Sequence, residues 1–141
     1  MNLTAPFILT QAFNSLLHNS DSPSVINIGS IYGILGPNLS LYENTKMGNP
    51  AAYSASKGGL TQLTKWLATV LAPKVRVNII SPGGIERKQP ESFLNKYIDK
   101  TPLRRLAKEE DLKGALVYLS TDLSAYVTGQ NIIVDGGFSV W

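Results

Sequence analysis

A helical stripe between two short apolar runs is the feature that most constrains the fold of this chain. The runs, residues 24–28 and 75–80, have the length and the β-branched content of buried strands. Between them, apolar residues recur at three- and four-residue spacing, which predicts one helix from about Tyr53 to a stop before Pro73. A strand, a helix and a strand joined by a connection of this size form a parallel, right-handed unit. The sequence therefore predicts an α/β fold.

The rest of the chain extends this unit. Residues 7–18 have the spacing of one helix, and shorter helices are predicted within 92–98 and 109–119. Residues 130–134 read as a third strand, stopped by Asp135, Gly136 and Gly137. Residues 31–50 are rich in Gly, Pro and Asn and predict a loop long enough to suggest a function.

The composition argues against several classes of protein. A chain of 141 residues with 43% hydrophobic and 16% charged residues suits one globular domain with an ordinary core. The net charge of +3 comes from scattered basic residues, so no nucleic-acid partner is expected. With no Cys and only one His, no metal site is expected. No apolar run is long enough to span a membrane and no secretory signal pattern opens the chain, so a cytoplasmic protein without a membrane partner is expected.

Tyr53 and Lys57 lie four residues apart and therefore share one face of the predicted helix. An ammonium group favours the ionised form of a nearby phenol, whose pKa is otherwise near ~10, and such a phenol can exchange a proton with a substrate oxygen. Tyr42 and Lys46 have the same spacing, but Gly48 and Pro50 follow too soon for a helix. The pair alone also fits a packed tyrosine beside a solvated lysine.

Four ordered sequence words place these residues in a wider pattern. These are Val25-Ile26-Asn27-Ile28-Gly29-Ser30, Tyr53-Ser54-Ala55-Ser56-Lys57, Asn78-Ile79-Ile80-Ser81-Pro82-Gly83-Gly84, and Val127-Thr128-Gly129-Gln130 followed by Val134-Asp135-Gly136-Gly137. With these motifs the chain resembles the C-terminal part of a short-chain dehydrogenase/reductase over essentially all of its length.

The resemblance implies a Rossmann-like, doubly wound parallel sheet with helices on both faces, in three layers and truncated at the N-terminus. Residues 1–141 would be the C-terminal part of a single domain, since no Gly-rich phosphate turn is present. The implied activity is hydride transfer between NAD or NADP and a small-molecule alcohol or carbonyl substrate. The implied assembly is a homo-oligomer, a tetramer or a dimer.

The resemblance also assigns catalytic roles. Tyr53 would be the general acid/base, and Lys57 would assist its ionisation and hold the nicotinamide ribose. Ser30 would bind the substrate oxygen, and Asn2 matches a fourth catalytic position. Without the resemblance, Ser30 reads as a turn residue and Asn2 as a helix-end residue.

On the cofactor side, the resemblance places Pro82 and Gly83 beside the nicotinamide, together with Tyr53 and Lys57, and it places Ile85 at the carboxamide. A backbone without side chains at Gly83 would allow close approach. Arg87 stands about where many members have a Thr, so that contact is not carried over.

The 23-residue separation of Ser30 from Tyr53 departs from the family pattern, and residues 37–49 are interpreted as an insertion beside the substrate pocket. Two alternatives remain at this stage. A sugar epimerase or dehydratase would share the Tyr/Lys pair, and an inactive fragment would only self-associate. The insertion and the chain end are similar to those of sugar-acting members, so a sugar is one substrate that the resemblance implies.

Overall fold

Three parallel strands in the order β1-β2-β3 form the centre of the structure, a computed structural model that describes all residues from Met1 to Trp141. The strands are β1 (Ser24–Ile28), β2 (Arg76–Pro82) and β3 (Asn131–Val134). The helices are α1 (Thr4–Ala12), α2 (Asn14–Asn19), α3 (Ala51–Val70), α4 (Glu91–Asp99) and α5 (Lys113–Ser120). Short 3-10 turns cover Ile31–Gly33, Leu39–Tyr42, Glu109–Leu112 and Asp122–Ser124.

Side chains of the two longer strands alternate between the faces of the sheet. On one face, Val77 packs into a cluster with Leu67 of α3. On the other face, Ser24 Oγ donates to Leu119 O of α5 at 2.8 Å, and Arg76 donates to the same carbonyl at 3.1 Å. Helices therefore cover both faces, which confirms the predicted three-layer, doubly wound arrangement.

Two buried asparagines tie the strands to their neighbours. Asn27 Nδ2 of β1 donates to Thr64 Oγ1 of α3 at 2.9 Å. Asn78 Nδ2 of β2 donates to Val127 O at 2.9 Å, and its Oδ1 accepts from Gln130 N at 2.9 Å. The motif at residues 127–130 therefore has a structural role, since its backbone forms hydrogen bonds with polar groups that are buried on β2.

A second, aromatic core lies beyond the carboxyl ends of the strands. The ring of Tyr97 stacks on Phe138 with 4.4 Å between centroids, and Phe93 lies 5.6 Å from Tyr97. The buried members are Ile31, Leu41, Phe93, Tyr97, Leu106 and Phe138. Because segments that follow β1 and β3 both contribute, this core fixes the loops at that edge of the sheet.

Three predicted elements differ in detail. The predicted helix at 7–18 is divided at Phe13, yet Phe13 N donates to Leu9 O and Leu17 N to Phe13 O, so the division is a kink. The predicted helix at 109–119 begins as a 3-10 turn, Glu109–Leu112, in which the Asp111 carboxylate accepts a hydrogen bond from Lys108 N at 2.7 Å. The loop at 31–50 contains two 3-10 turns.

The helices of the structure are all too short or too polar to cross a lipid bilayer.

Candidate active site

Helix α3 carries the predicted acid/base pair on its first two turns. Pro50 precedes the helix in an extended conformation, and Ala51 begins it. Lys57 Nζ lies 5.8 Å from the centroid of the Tyr53 ring, and Tyr53 is 36% exposed. The two side chains therefore lie together at the surface, as their spacing predicted.

Lys57 is held at the carboxyl end of β1. Its Nζ donates to Ile28 O at 2.8 Å, which uses one of its three N–H donors. Burial disfavours the charged form and lowers the pKa of Lys57 from its usual value. The remaining N–H groups are free of protein partners and are available to a ligand.

Ser30 follows β1 two residues after Ile28 and is buried. Its Oγ accepts a hydrogen bond from Tyr32 N at 3.2 Å and caps the 3-10 turn Ile31–Gly33. The hydroxyl proton of Ser30 makes no bond in the protein. It is therefore available to a substrate oxygen.

Glycines allow the turn after Ser30 to approach α3. A Cβ on Gly33 would lie 2.8 Å from the backbone C and O atoms of Lys57, and a Cβ on Gly58 would lie 3.5 Å from Gly33 O. A side chain at position 33 would push the turn away from α3. The close approach of the two backbones therefore sets the position of Ser30 relative to Lys57.

Asn2 lies outside this arrangement. Its Nδ2 donates to Ser56 Oγ at 3.3 Å, and Ser56 Oγ donates in turn to Tyr53 O at 2.7 Å. These are the hydrogen bonds that connect Asn2 to α3, and they reach the backbone of Tyr53 rather than its phenol. Ser30, Tyr53 and Lys57 lie at the carboxyl edge of the sheet. Asn2 is connected to Tyr53 only through Ser56.

The predicted cofactor residues follow β2 at the same edge of the sheet. Pro82 ends β2 opposite Val134, and Gly83 N donates to Val134 O at 3.0 Å. A Cβ on Gly83 would lie 2.8 Å from the Cβ of Asp135. The packing of the protein itself therefore requires glycine here, a reason other than the close approach of a ligand.

Ile85 forms a parallel bridge with Ala107, and its carbonyl accepts from Gln89 Nε2 at 2.7 Å. Arg87, which replaces the family's Thr, is exposed and pairs with Glu109. The Arg87 guanidinium therefore forms an ion pair at the protein surface.

The segment that was interpreted as an insertion forms a wall beside Tyr53. Tyr42 lies in a 3-10 turn, and its hydroxyl is 2.7 Å from that of Tyr32. Burial, followed by the bond to Tyr42, raises the pKa of Tyr32. Tyr42 and Lys46 do not share a helix, because Asn44 between them has φ +62°. Only the Tyr53 pair has the helical geometry that the chemistry needs.

Sequence reasoning missed three contributors to this site. These are Gly33, Tyr32 and Asn49, whose Oδ1 accepts from Ser54 Oγ of α3 at 3.2 Å beside Tyr53. Glycines inside a helix cost about 1 kcal/mol each, so Gly58 and Gly59 in α3 were a signal of close approach. In the structure Gly58 faces Gly33 O, whereas Gly59 faces the side chain of Leu3. No sequence signal distinguishes Tyr32 or Asn49 from ordinary loop residues.

Comparison with known proteins shows the family to which this chain belongs. A family model described as Enoyl-(Acyl carrier protein) reductase matches residues 1–139. A short-chain dehydrogenase from Leptospira borgpetersenii, solved with bound NAD+, is 41% identical with a TM-score of 0.90 over 98% of this chain and 53% of its own. The chain belongs to the short-chain dehydrogenase/reductase family.

Other relatives have different named substrates. Post-translational flagellin modification protein A of Campylobacter coli is 38% identical over 95% of this chain. The 3-oxoacyl-[acyl-carrier-protein] reductase FabG of Thermotoga maritima is 33% identical over 99%. A gluconate 5-dehydrogenase from Burkholderia cenocepacia, solved with NADP and tartrate, is 26% identical with a TM-score of 0.84 over 99%. The chain covers 53%, 55% and 54% of these proteins, about half of each.

Proposed function

We propose that residues 1–141 form the catalytic, C-terminal part of an NAD- or NADP-dependent oxidoreductase domain that interconverts a small-molecule alcohol and its carbonyl. The observation that carries this proposal is that Lys57, which lies beside Tyr53 on α3, binds Ile28 O at the carboxyl end of β1, two residues before Ser30. Ligands bind at this edge in open parallel α/β sheets.

Each residue has a chemical role that its contacts support. The exposed phenol of Tyr53 would give its proton to the substrate oxygen during reduction and take it back during oxidation. The ammonium of Lys57, already partly desolvated, would stabilise the phenolate that remains. The uncommitted hydroxyl proton of Ser30 would hold the substrate oxygen beside Tyr53. Asn2 would act through Ser56, as a positioning residue for the first turns of α3.

The residues at this edge fit the nicotinamide end of a dinucleotide, which when bound supplies or accepts the hydride. Lys57 keeps N–H donors free for ribose hydroxyls. The Pro82-Gly83 backbone and Ile85 would bound the nicotinamide, and the relatives solved with NAD+ or NADP support both cofactors. These residues do not discriminate between NAD and NADP.

The test uses a completed enzyme, in which this chain is joined to the part of the Leptospira borgpetersenii dehydrogenase that it does not cover. Tyr53→Phe should lower kcat by about 10²–10⁴-fold, because it removes the transferable proton, while NADH affinity stays close to that of the parent. Steady-state kinetics and NADH fluorescence measure the two quantities.

Tyr42→Phe is the comparison variant, because it removes the hydroxyl of the other Tyr-x-x-x-Lys match, which lies in the wall beside Tyr53. It should reduce kcat much less than Tyr53→Phe. A larger effect at Tyr42 would overturn the choice of Tyr53, and an equal loss of NADH affinity and kcat at Tyr53 would point to a structural role.

A further inference from the structure

The wall beside Tyr53 is held in place by packing on α4. Leu41 is fully buried in the aromatic core, and the Tyr42 ring lies 5.7 Å from that of Phe93. Lys96 Nζ of α4 donates to Ser40 O at 2.7 Å and lies 3.2 Å from a carboxylate oxygen of Glu43. Polar groups on this wall are therefore positioned before any ligand arrives.

The wall and the start of α3 enclose a cleft of about 240 Å³, which suits a small molecule. It is lined by Tyr32, Tyr42, Gly48, Asn49, Pro50 and Tyr53. The lining contains no Asp, Glu, Lys, Arg or His residue. A carboxylate or phosphate group would find no cation among them.

Two groups in the cleft have hydrogen-bonding capacity that the protein does not use. The hydroxyls of Tyr32 and Tyr42 share one hydrogen bond, which leaves the second phenolic proton and several lone pairs free. Asn49 Oδ1 accepts from Ser54 Oγ at 3.2 Å, while Asn49 Nδ2 is buried and has no partner. A buried donor without an acceptor is unfavourable, so an acceptor on a ligand would relieve it.

We propose that Asn49 and the Tyr32–Tyr42 pair bind hydroxyl groups of a neutral polyhydroxy substrate, a sugar or polyol, next to the carbon on which Tyr53 acts. This inference rests on the proposed function. A hydroxyl group both donates and accepts, which matches the mixture of donors and acceptors here. Asn49 is a specificity-determining residue in this arrangement, because its amide distinguishes a hydroxylated substrate from its deoxy analogue.

The test is NMR titration of the ¹⁵N-labelled 141-residue chain with galactitol, a hexose 6-phosphate and 1-hexanol. Galactitol should shift the Asn49 side-chain amide signals, and the other two compounds should not. Asn49→Leu should weaken galactitol binding by at least about tenfold, since the pocket loses its donor. Asn95→Leu, at an exposed position of α4, is the matched control and should leave binding unchanged.

Several results would overturn the inference. The first is equal galactitol affinity in the Asn49→Leu and Asn95→Leu variants. The second is tighter binding of the hexose 6-phosphate or of 1-hexanol than of galactitol, and the third is no binding of galactitol. Turnover of the completed enzyme on the same three compounds and on a 3-oxoacyl thioester separates the two proposals. Turnover confined to non-hydroxylated compounds overturns only the polyol assignment, whereas no turnover on any compound overturns the proposed function.

Discussion

Single polar atoms set the geometry at the carboxyl edge of the sheet. Lys57 is oriented by one backbone carbonyl, and Ser30 by one backbone N–H. After β2, the hydroxyl of Tyr97 accepts a hydrogen bond from Gly84 N at 2.6 Å, and this bond holds the turn that follows the strand. The first bond reaches the last residue of β1, and the other two hold the turns that follow β1 and β2, so the loss of one polar atom would alter the geometry of the site.

The buried phenol of Tyr97 provides a test at this scale. Burial raises its pKa from 10.0 to about 12, so the folded state holds this proton more tightly than the unfolded state. The resulting stabilisation is fully present below pH 10 and is lost as the pH rises toward 12. Tyr97→Phe should cost about 1–3 kcal/mol at pH 8, because Gly84 N loses its acceptor, and should reduce the loss of stability above pH 10.

Urea unfolding between pH 8 and pH 11 measures both effects. Tyr126→Phe, at a fully exposed position, is the control and should match the parent chain. The same pH dependence in the parent and in Tyr97→Phe would contradict the assignment.

At the scale of elements, the approach of the turn after β1 to α3 assembles the site. The contact depends on the missing side chain of Gly33, since a Cβ there would lie 2.8 Å from the Lys57 backbone. Backbone atoms cannot move aside as a flexible side chain does. The turn and α3 therefore form one unit that carries Ser30, Tyr53 and Lys57.

Gly33→Ala should destabilise the fold by roughly 1–3 kcal/mol through overpacking and should lower kcat of the completed enzyme. Gly36→Ala is the control, since a Cβ there meets nothing within 4 Å. It should leave stability unchanged or raise it by up to about 1 kcal/mol. Thermal unfolding and steady-state kinetics give the comparison, and equal effects of the two variants would contradict the role of the contact.

At the scale of the whole molecule, apolar surfaces remain uncovered. Strand β1 is an edge of the sheet, and a cleft of about 410 Å³ runs between it and the first two helices. A second apolar cleft of about 480 Å³ lies between α1 and α3, where Trp66 is half exposed. Surfaces of this kind mark interaction sites.

We therefore expect the chain to form homo-oligomers, with α1 and α3 in the interface. Trp66→Lys should weaken self-association by at least about tenfold, because it places a charge in the apolar cleft. Gln62→Lys adds the same charge to α3 outside that cleft and is the control. Sedimentation velocity over a range of concentrations measures the association. A monomer at every concentration would contradict this prediction.

The last prediction concerns the isolated chain. Residues 1–141 span about half of their relatives, and a dinucleotide gains much of its binding energy from phosphate contacts at a Gly-rich turn, which this sequence lacks. We expect weak binding of NADH and NADPH and no turnover, because remote binding energy positions the reacting carbon. Fluorescence titration and an activity assay compare the chain with the completed enzyme. Micromolar binding with measurable turnover by the chain alone would contradict this.

The sequence by itself determined the order and type of the principal elements. A short β-branched run between turn residues and an apolar period of 3.6 both reflect local backbone geometry, so β1 was predicted residue for residue and α3 to within a few residues. The same periodicity placed Tyr53 and Lys57 on one helical face, and the structure confirms that placement. Their catalytic roles stay a proposal.

The tertiary structure alone decided what lies next to this pair. The bond from Lys57 to Ile28 O joins residues 29 positions apart, and the Tyr32–Tyr42 pair and the unpartnered amide of Asn49 depend on how a loop packs against α4. It also added a reason for Gly83, whose missing Cβ leaves room for Asp135. Such contacts depend on packing between distant segments, which no local pattern records, and they decide which polar atoms remain free for a substrate.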